Sequence, residues 1–330
     1  MSQGVAWGLI GAGDIVRKRV AAALRETRAS ELVAVSRARS QLAAEFARDF
    51  GVPRWYSDWR ELVEDRDIDA VYVATPVRVH AEQAIAAANA GKHVLCEKPM
   101  AMTVAECDRI IAACRANRVA LGVAYYRHFY PVIARIKAVL ASGEVGDPVL
   151  AQVDAFEQFN PSSDLPRAWL LDPHESGGGP MMDFGCHRLE ILLNLFGPVR
   201  KVTSLVANAV LTRDVEDTAI ASLQFERGTV ATVTVTHAAE EARDAIRIFG
   251  TRGSMHVTTL NQGDLRITTA RGETCETHRP AANIHQPLVE DFVEAVLAGR
   301  EPAVGGATGR AVAQIEDQIY DRVARSTTSA

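Results

Sequence analysis

The stretch Val5-Ala6-Trp7-Gly8-Leu9-Ile10-Gly11-Ala12-Gly13-Asp14-Ile15-Val16 decides the fold. An apolar run of strand length ends in two closely spaced glycines, and a helical pattern opens behind them. Gly11 permits a tight turn. Gly13 lets backbone approach a pyrophosphate at a helix N-terminus, whose free N–H groups favour an anion. The third glycine of the dinucleotide fingerprint is missing, because Val16 stands in its place. Alone, G-x-G also describes an ordinary strand–helix turn. Its position at the chain start, inside a strand–helix–strand rhythm, points to dinucleotide binding.

Four further apolar runs carry that rhythm: Glu31 to Val35, Ile68 to Ala74, His93 to Cys96 and Val119 to Val123. Alanine-rich helical segments separate them, which predicts βαβ units and a parallel sheet over residues 1–123. Thr103 and Glu106 form a capping box, with Val104, Cys107, Ile110, Ile111 and Cys114 on one helical face behind it. Gly91 suits the end of a helix that starts near His80. From about residue 124 the pattern changes. Pro131 opens a helix closed by Gly143. The segments Thr218 to Phe225 and Thr229 to Thr236 alternate strictly and flank an Arg227-Gly228 turn, as antiparallel strands with one buried face do. Helical patterns at Pro287 to Ala298 and Ala307 to Ala324 follow, then a polar tail, Ser326 to Ser329, expected to fray. The expected domains are 1–123 and 124–330.

Composition excludes classes. The chain has 330 residues, with 36 Lys and Arg against 41 Asp and Glu, a net charge of −5. A nucleic-acid surface wants a basic excess. No apolar run approaches the ~20 residues of a membrane span. Met1-Ser2-Gln3-Gly4 shows no basic leader, and five cysteines without C-x-x-C spacing suit a reducing, cytoplasmic setting better than a disulfide framework or a zinc site. No histidine cluster has metal-ligand spacing, and no G-x-S-x-G elbow supports a serine hydrolase. Cys96 reads as a packing residue rather than a reactive thiol.

Two positions carry chemistry in the first domain. The end of the second strand normally holds an acid that binds the 2′-hydroxyl of NAD. Here it reads Val35-Ser36-Arg37-Ala38-Arg39. A hydroxyl and a guanidinium suit a 2′-phosphate, so NADP(H) is expected to be preferred, with NAD(H) possible; a solvated basic loop is the plain alternative. Cys96-Glu97-Lys98-Pro99 places a lysine at the carboxyl end of a strand, where open α/β sheets bind ligands. In the second domain, Gly177-Gly178-Gly179-Pro180-Met181-Met182-Asp183-Phe184-Gly185-Cys186-His187 opens a helix, with Asp183 and His187 four apart on one face.

Taken together, the G-x-G turn, the Thr75-Pro76…His80 loop, the Glu97-Lys98-Pro99 strand end, the Tyr125-Tyr126-Arg127 exit and the G-G-G…D-x-G-x-H helix resemble the Gfo/Idh/MocA family of NAD(P)-dependent oxidoreductases. The resemblance spans nearly the whole chain. It implies a Rossmann domain followed by an α+β domain with a large, mostly antiparallel open sheet. It implies a sugar or polyol substrate, and a homodimer or homotetramer joined through that sheet. By the same resemblance, Lys98 matches the catalytic lysine, Asp183 the substrate-binding aspartate and His187 the proton-transfer histidine. Gly11, Gly13, Asp14, Ile15, Ser36, Arg37, Thr75, Pro76, His80, Glu97 and Lys98 match cofactor contacts. Arg127 and Trp169 join Lys98, Asp183 and His187 at the substrate. The sequence departs at Val16 and at Val77, where many members carry asparagine. Trp169-Leu170-Leu171-Asp172 is similar to the family's keto-sugar reductases. A histidine near neutral pKa suits proton exchange, and a cationic lysine steadies an oxygen gaining charge. A non-catalytic NADP(H)-binding redox sensor or partner-binding protein on the same scaffold is the alternative.

Overall fold

The structure, a computed structural model, describes residues 4–165 and 167–320. The Met1–Gln3 start and the Ser326–Ser329 tail lie outside the described residues. The chain divides into two units, one ending at Tyr126 and regaining Ala282–Ala313, the other running Arg127–Ala281 and resuming at Gln314.

The first unit holds β1 (Val5–Ile10), β2 (Ser30–Ser36), β3 (Arg54–Tyr56), β4 (Ala70–Val73), β5 (His93–Cys96) and β6 (Leu121–Val123). They form one parallel sheet in the order β3-β2-β1-β4-β5-β6. Strand order reverses between β1 and β4, and in such sheets ligands bind at the carboxyl ends beside that switch. Strands β1, β4, β5 and β6 are buried almost throughout, which is why they read as continuous apolar runs. The capping box forms in variant form: Thr103 Oγ1 accepts from Glu106 N–H at 3.2 Å, while Glu106 Oε2 accepts from Met102 N–H at 3.0 Å.

The sequence reading assigned everything after residue 123 to the second domain. The structure instead groups Ala282–Ala313 with the first unit. The helix Gln286–Ala298 buries Leu288, Val289, Phe292 and Val293. Phe292 lies 5.3 Å from the Trp7 ring, centroid to centroid, and presses so closely on Gly122 that a Cβ there would meet it at 2.7 Å. That face of the sheet needs a cover, and the chain supplies it from its far end.

The second unit contains β7 (Pro148–Gln158), β8 (Val199–Ala207), β9 (Thr218–Phe225), β10 (Val230–Thr236), β11 (Ala238–Gly250), β12 (Gly253–Val257), β13 (Asp264–Thr269) and β14 (Gly272–Thr277). Their order is β14-β13-β12-β11-β7-β10-β9-β8, antiparallel except for the β7–β10 pair. One face is the core: Ala219, Ala221, Leu223 and Phe225 of β9 and Ala231, Val233 and Val235 of β10 are buried. The helix Cys186–Phe196 packs on β10 and on the helix Pro131–Ser142. No helix among the described residues is long and apolar enough to cross a membrane.

Candidate functional site

In the first unit, Gly11 has φ +90°, and a Cβ on it would strike the Ala74 carbonyl oxygen at 2.6 Å. Its glycine identity is therefore required by the approach of β1 to the loop after β4. Gly13 is different: a Cβ there would meet nothing within 4 Å. Protein packing does not demand a glycine at this position. The open space beside a helix start fits a closely approaching pyrophosphate. Asp14 and Ile15 occupy the first helical positions, and Asp14 pairs with Lys18 at 2.8 Å.

Ser36 is buried at the end of β2, and its carbonyl accepts from Gly11 N–H at 2.9 Å. Arg37 follows, half-buried. Burial, then the neighbouring Arg17 and Arg39, push its guanidinium below its ordinary value. Arg17 is tied to Asp49 at 3.1 Å and lies over Phe46. Among the described residues Arg37 has no ion pair, so cationic groups gather here without a matching carboxylate on Arg37. Such a place favours an anion.

Thr75 and Pro76 follow β4, with Thr75 Oγ1 bonded to Gln83 Oε1 at 2.6 Å. His80, expected among the cofactor contacts, is only 1% exposed. Its Nε2 faces the Thr75 carbonyl at 2.8 Å and its Nδ1 the Pro99 carbonyl at 3.0 Å. It is an internal strut joining the loops after β4 and β5, which sets their geometry from beneath. Glu97 is buried too. It accepts from Tyr72 Oη at 2.9 Å and from Lys98 N–H at 3.1 Å, and burial pushes its carboxyl up. His285 stands 3.9 Å from Glu97, stacked near Tyr126, and is held down at about 3 by burial, Arg19 and Lys98. A neutral imidazole and a buried carboxyl thus support the backbone from which the half-buried Lys98 projects.

In the second unit, Gly177 has φ +86° and the glycine run is packed tightly. A Cβ on Gly178 would strike Tyr320 Oη at 2.4 Å, and one on Gly179 the Glu216 carbonyl oxygen at 2.1 Å. Glu216 accepts from Gly179 N–H at 2.7 Å, Met181 N–H at 3.3 Å and Tyr320 Oη at 2.6 Å. This carboxylate fixes the turn that delivers Asp183. The turn Met181–Gly185 is a widened π-type segment, and His187 lies in the first turn of the α-helix Cys186–Phe196 behind it. Widened turns of this kind recur at functional sites. Asp183 Oδ2 accepts from Arg167 at 3.2 Å, and His237 Nε2 lies 3.6 Å from the same oxygen. His187 is 2% exposed. Trp169 lies half-buried on the short helical turn Ala168–Leu171.

Arg127, expected at the substrate, is 7% exposed and donates to Asp244 at 2.8 Å, with Arg188 on the other oxygen of that carboxylate. The two arginines outweigh burial and hold the Asp244 carboxyl below its usual range. Arg127 is built into a buried ion cluster because a desolvated guanidinium needs such a counter-charge. Sequence reasoning missed Arg17, Arg167, Arg213, Glu216 and His237. Only His237 carried a local signal, ending the alternation of β10.

Residues 5–125 match the model of an oxidoreductase family with an NAD-binding Rossmann fold, and residues 133–256 match a GFO/IDH/MocA C-terminal domain. The chain is 30% identical to a 1,5-anhydro-D-fructose reductase of Ensifer adhaerens over 309 residues, covering 92% of this chain and 91% of that one. It is 27% identical to a myo-inositol 2-dehydrogenase of Thermotoga maritima over 295 residues, 84% of each chain. A levoglucosan dehydrogenase in complex with NADH and levoglucosan superimposes with a TM-score of 0.88 at 26% identity, covering 98% of both chains.

Proposed function

The chain belongs to the Gfo/Idh/MocA oxidoreductases, NAD(P)-dependent enzymes acting on CH–OH groups of sugars and polyols, and from that premise we propose that it reduces a keto-sugar, or oxidises the matching alcohol, with NADP(H) preferred. The observation that carries the reading is Lys98 at the carboxyl end of β5, on the sheet end that also holds the open Gly13 turn and the arginines around Arg37. The nicotinamide, when bound, supplies or accepts the hydride. Lys98 hydrogen-bonds the reacting oxygen and steadies its charge. His187 gives that oxygen a proton in reduction and takes it back in oxidation. Asp183 accepts from a substrate hydroxyl. Gly11, Gly13, Asp14 and Ile15 receive the pyrophosphate, and Ser36 and Arg37 the 2′-phosphate. A homodimer or homotetramer built through the open sheet of the second unit completes the reading.

The test is incubation of the full chain with NADPH and 1,5-anhydro-D-fructose, and with NADP⁺ and levoglucosan or myo-inositol, followed by nicotinamide absorbance. Turnover of one of these, faster with NADP(H) than with NAD(H), is expected. Tight NADPH binding without turnover of any keto-sugar or polyol would point to the sensor instead.

A further inference from the structure

His237 has no part in the chemistry above, yet it stands directly behind Asp183. It is 1% exposed, at the end of β10, between the rings of Phe159 at 4.9 Å and Phe184 at 5.2 Å. Arg213 approaches its Nδ1 at 2.9 Å. Arg213 is itself anchored, donating to the carbonyls of Phe159 at 3.0 Å and Glu216 at 2.6 Å. A guanidinium only donates. Nδ1 must therefore be the accepting nitrogen, and the ring proton sits on Nε2.

The Nε2–H that results is buried and makes no hydrogen bond in the structure. The atom in front of it is Asp183 Oδ2, at 3.6 Å, a few tenths of an ångström beyond bonding length. An unsatisfied buried donor is costly, so a small turn of the carboxylate toward the ring is favoured. Arg167 donates to the same oxygen from the more exposed side, with its guanidinium 4.3 Å above Phe159. Two donors thus converge on one oxygen of Asp183, one from the core and one from a loop.

We propose that His237, locked as the Nε2–H tautomer by Arg213, is a positioning residue that docks Asp183 Oδ2 against the core and so sets the orientation in which the carboxylate meets a substrate hydroxyl. The inference rests on the reading of Asp183 as a substrate-binding residue. The donation is one-way, because Arg213 occupies the only acceptor on the ring. Glu216 fixes the glycine turn with its side chain and Arg213 with its carbonyl. One loop residue therefore ties the backbone that carries Asp183 to the imidazole that aims it.

The experiment uses the full chain labelled with ¹⁵N-histidine, with His237 assigned by its loss in His237→Gln. Long-range ¹H–¹⁵N spectra are expected to show a bare Nδ1 and a protonated Nε2. The Nε2 signal should move in Asp183→Asn, and the tautomer preference should collapse in Arg213→Met. In the keto-sugar assay, His237→Ala should lower kcat/KM roughly 10-fold or more, mainly through KM, with NADPH affinity unchanged. His237→Gln, whose amide can donate along the same line, should recover most of the loss. A proton on Nδ1, a doubly protonated ring, or a His237→Ala enzyme equal to wild type while Asp183→Asn is impaired overturns the positioning role. Full turnover by Asp183→Asn overturns instead the substrate-site reading beneath it.

Discussion

Lys98 and His187 carry the proposed chemistry from different surroundings, and their variants need different designs. Lys98 is half-buried, so Lys98→Ala removes charge with little packing lost. His187 is 2% exposed, and truncation to alanine leaves a cavity. His187→Asn is the cleaner probe. Each variant should keep NADPH binding and lower kcat by about 10²-fold or more, the scale of acid–base and oxyanion groups. Near-normal turnover by His187→Asn would remove its role. The proposed role of Arg37 in cofactor choice is tested at the same residue scale. Arg17 and Arg39 already oppose its charge, and a 2′-phosphate would offset that repulsion. Arg37→Ala should cut the preference for NADP(H) by roughly 10-fold or more, and Ser36→Asp should cut it further by direct repulsion. Fluorescence titration with both cofactors checks this. Equal affinities in the wild type mean that Arg37 does not reach the ribose.

At the scale of elements, the turn Gly177–Gly179 depends on a carboxylate from a distant loop. Glu216→Ala leaves two backbone N–H groups and the Tyr320 hydroxyl without their acceptor, so a loss of about 3 kcal/mol in urea unfolding is expected. The neighbouring Asp217 caps the loop between β8 and β9. Burial raises its carboxyl, but the N–H groups of Leu211, Ala209 and Val210 outweigh that and bring it to about 2. A depressed carboxyl contributes stability above its unfolded pKa, near 3.8, and loses it as pH falls toward about 2. Acid melts should therefore steepen between about pH 4 and 2, and Asp217→Asn should flatten that window while being less stable at neutral pH. Elements with a strong local pattern were legible in the sequence. The helix Pro131–Ser142 and the strand Thr218–Phe225 emerge with the boundaries read from proline, glycine and alternation. The strand Arg54–Tyr56 was not, because three residues at a sheet edge show no period. Nor was Ala238–Gly250, whose Glu240, Glu241 and Arg243 are exposed and break the alternation. The support around Asp183 was hidden for another reason. Arg167, Arg213 and His237 lie 16, 30 and 54 positions away from it in the chain, and no local pattern records a contact at that distance.

At the scale of the whole molecule, the sheet of the second unit is the surface proposed for assembly. An apolar patch on an uncovered sheet face is the usual mark of an interface. The face is more polar than that. On β9 it presents Thr218, Ile220, Ser222 and Gln224, and on β10 Val230, Thr232, Thr234 and Thr236. Strand alternation forces this outcome, since the core took alanine, valine and leucine at the intervening positions. Large apolar side chains do remain. Leu205 is 66% exposed and pairs in register with Ile220, 39% exposed, while Val230 is 40% exposed farther along the sheet. Threonine rows beside them offer methyl groups and hydroxyls together, a surface that suits an interface sealed by hydrogen bonds as well as apolar contact. Light scattering at micromolar concentration should give the mass of two or four chains. Placing a like charge on both copies of a symmetric face doubles its cost, because each substitution meets itself or its neighbour across the axis. Ile220→Lys should thus shift the mass toward one chain, with the fold retained by circular dichroism, since Ile220 lies outside the core. A wild-type mass of one chain, or an Ile220→Lys variant that stays assembled, means that this face is not where the copies meet.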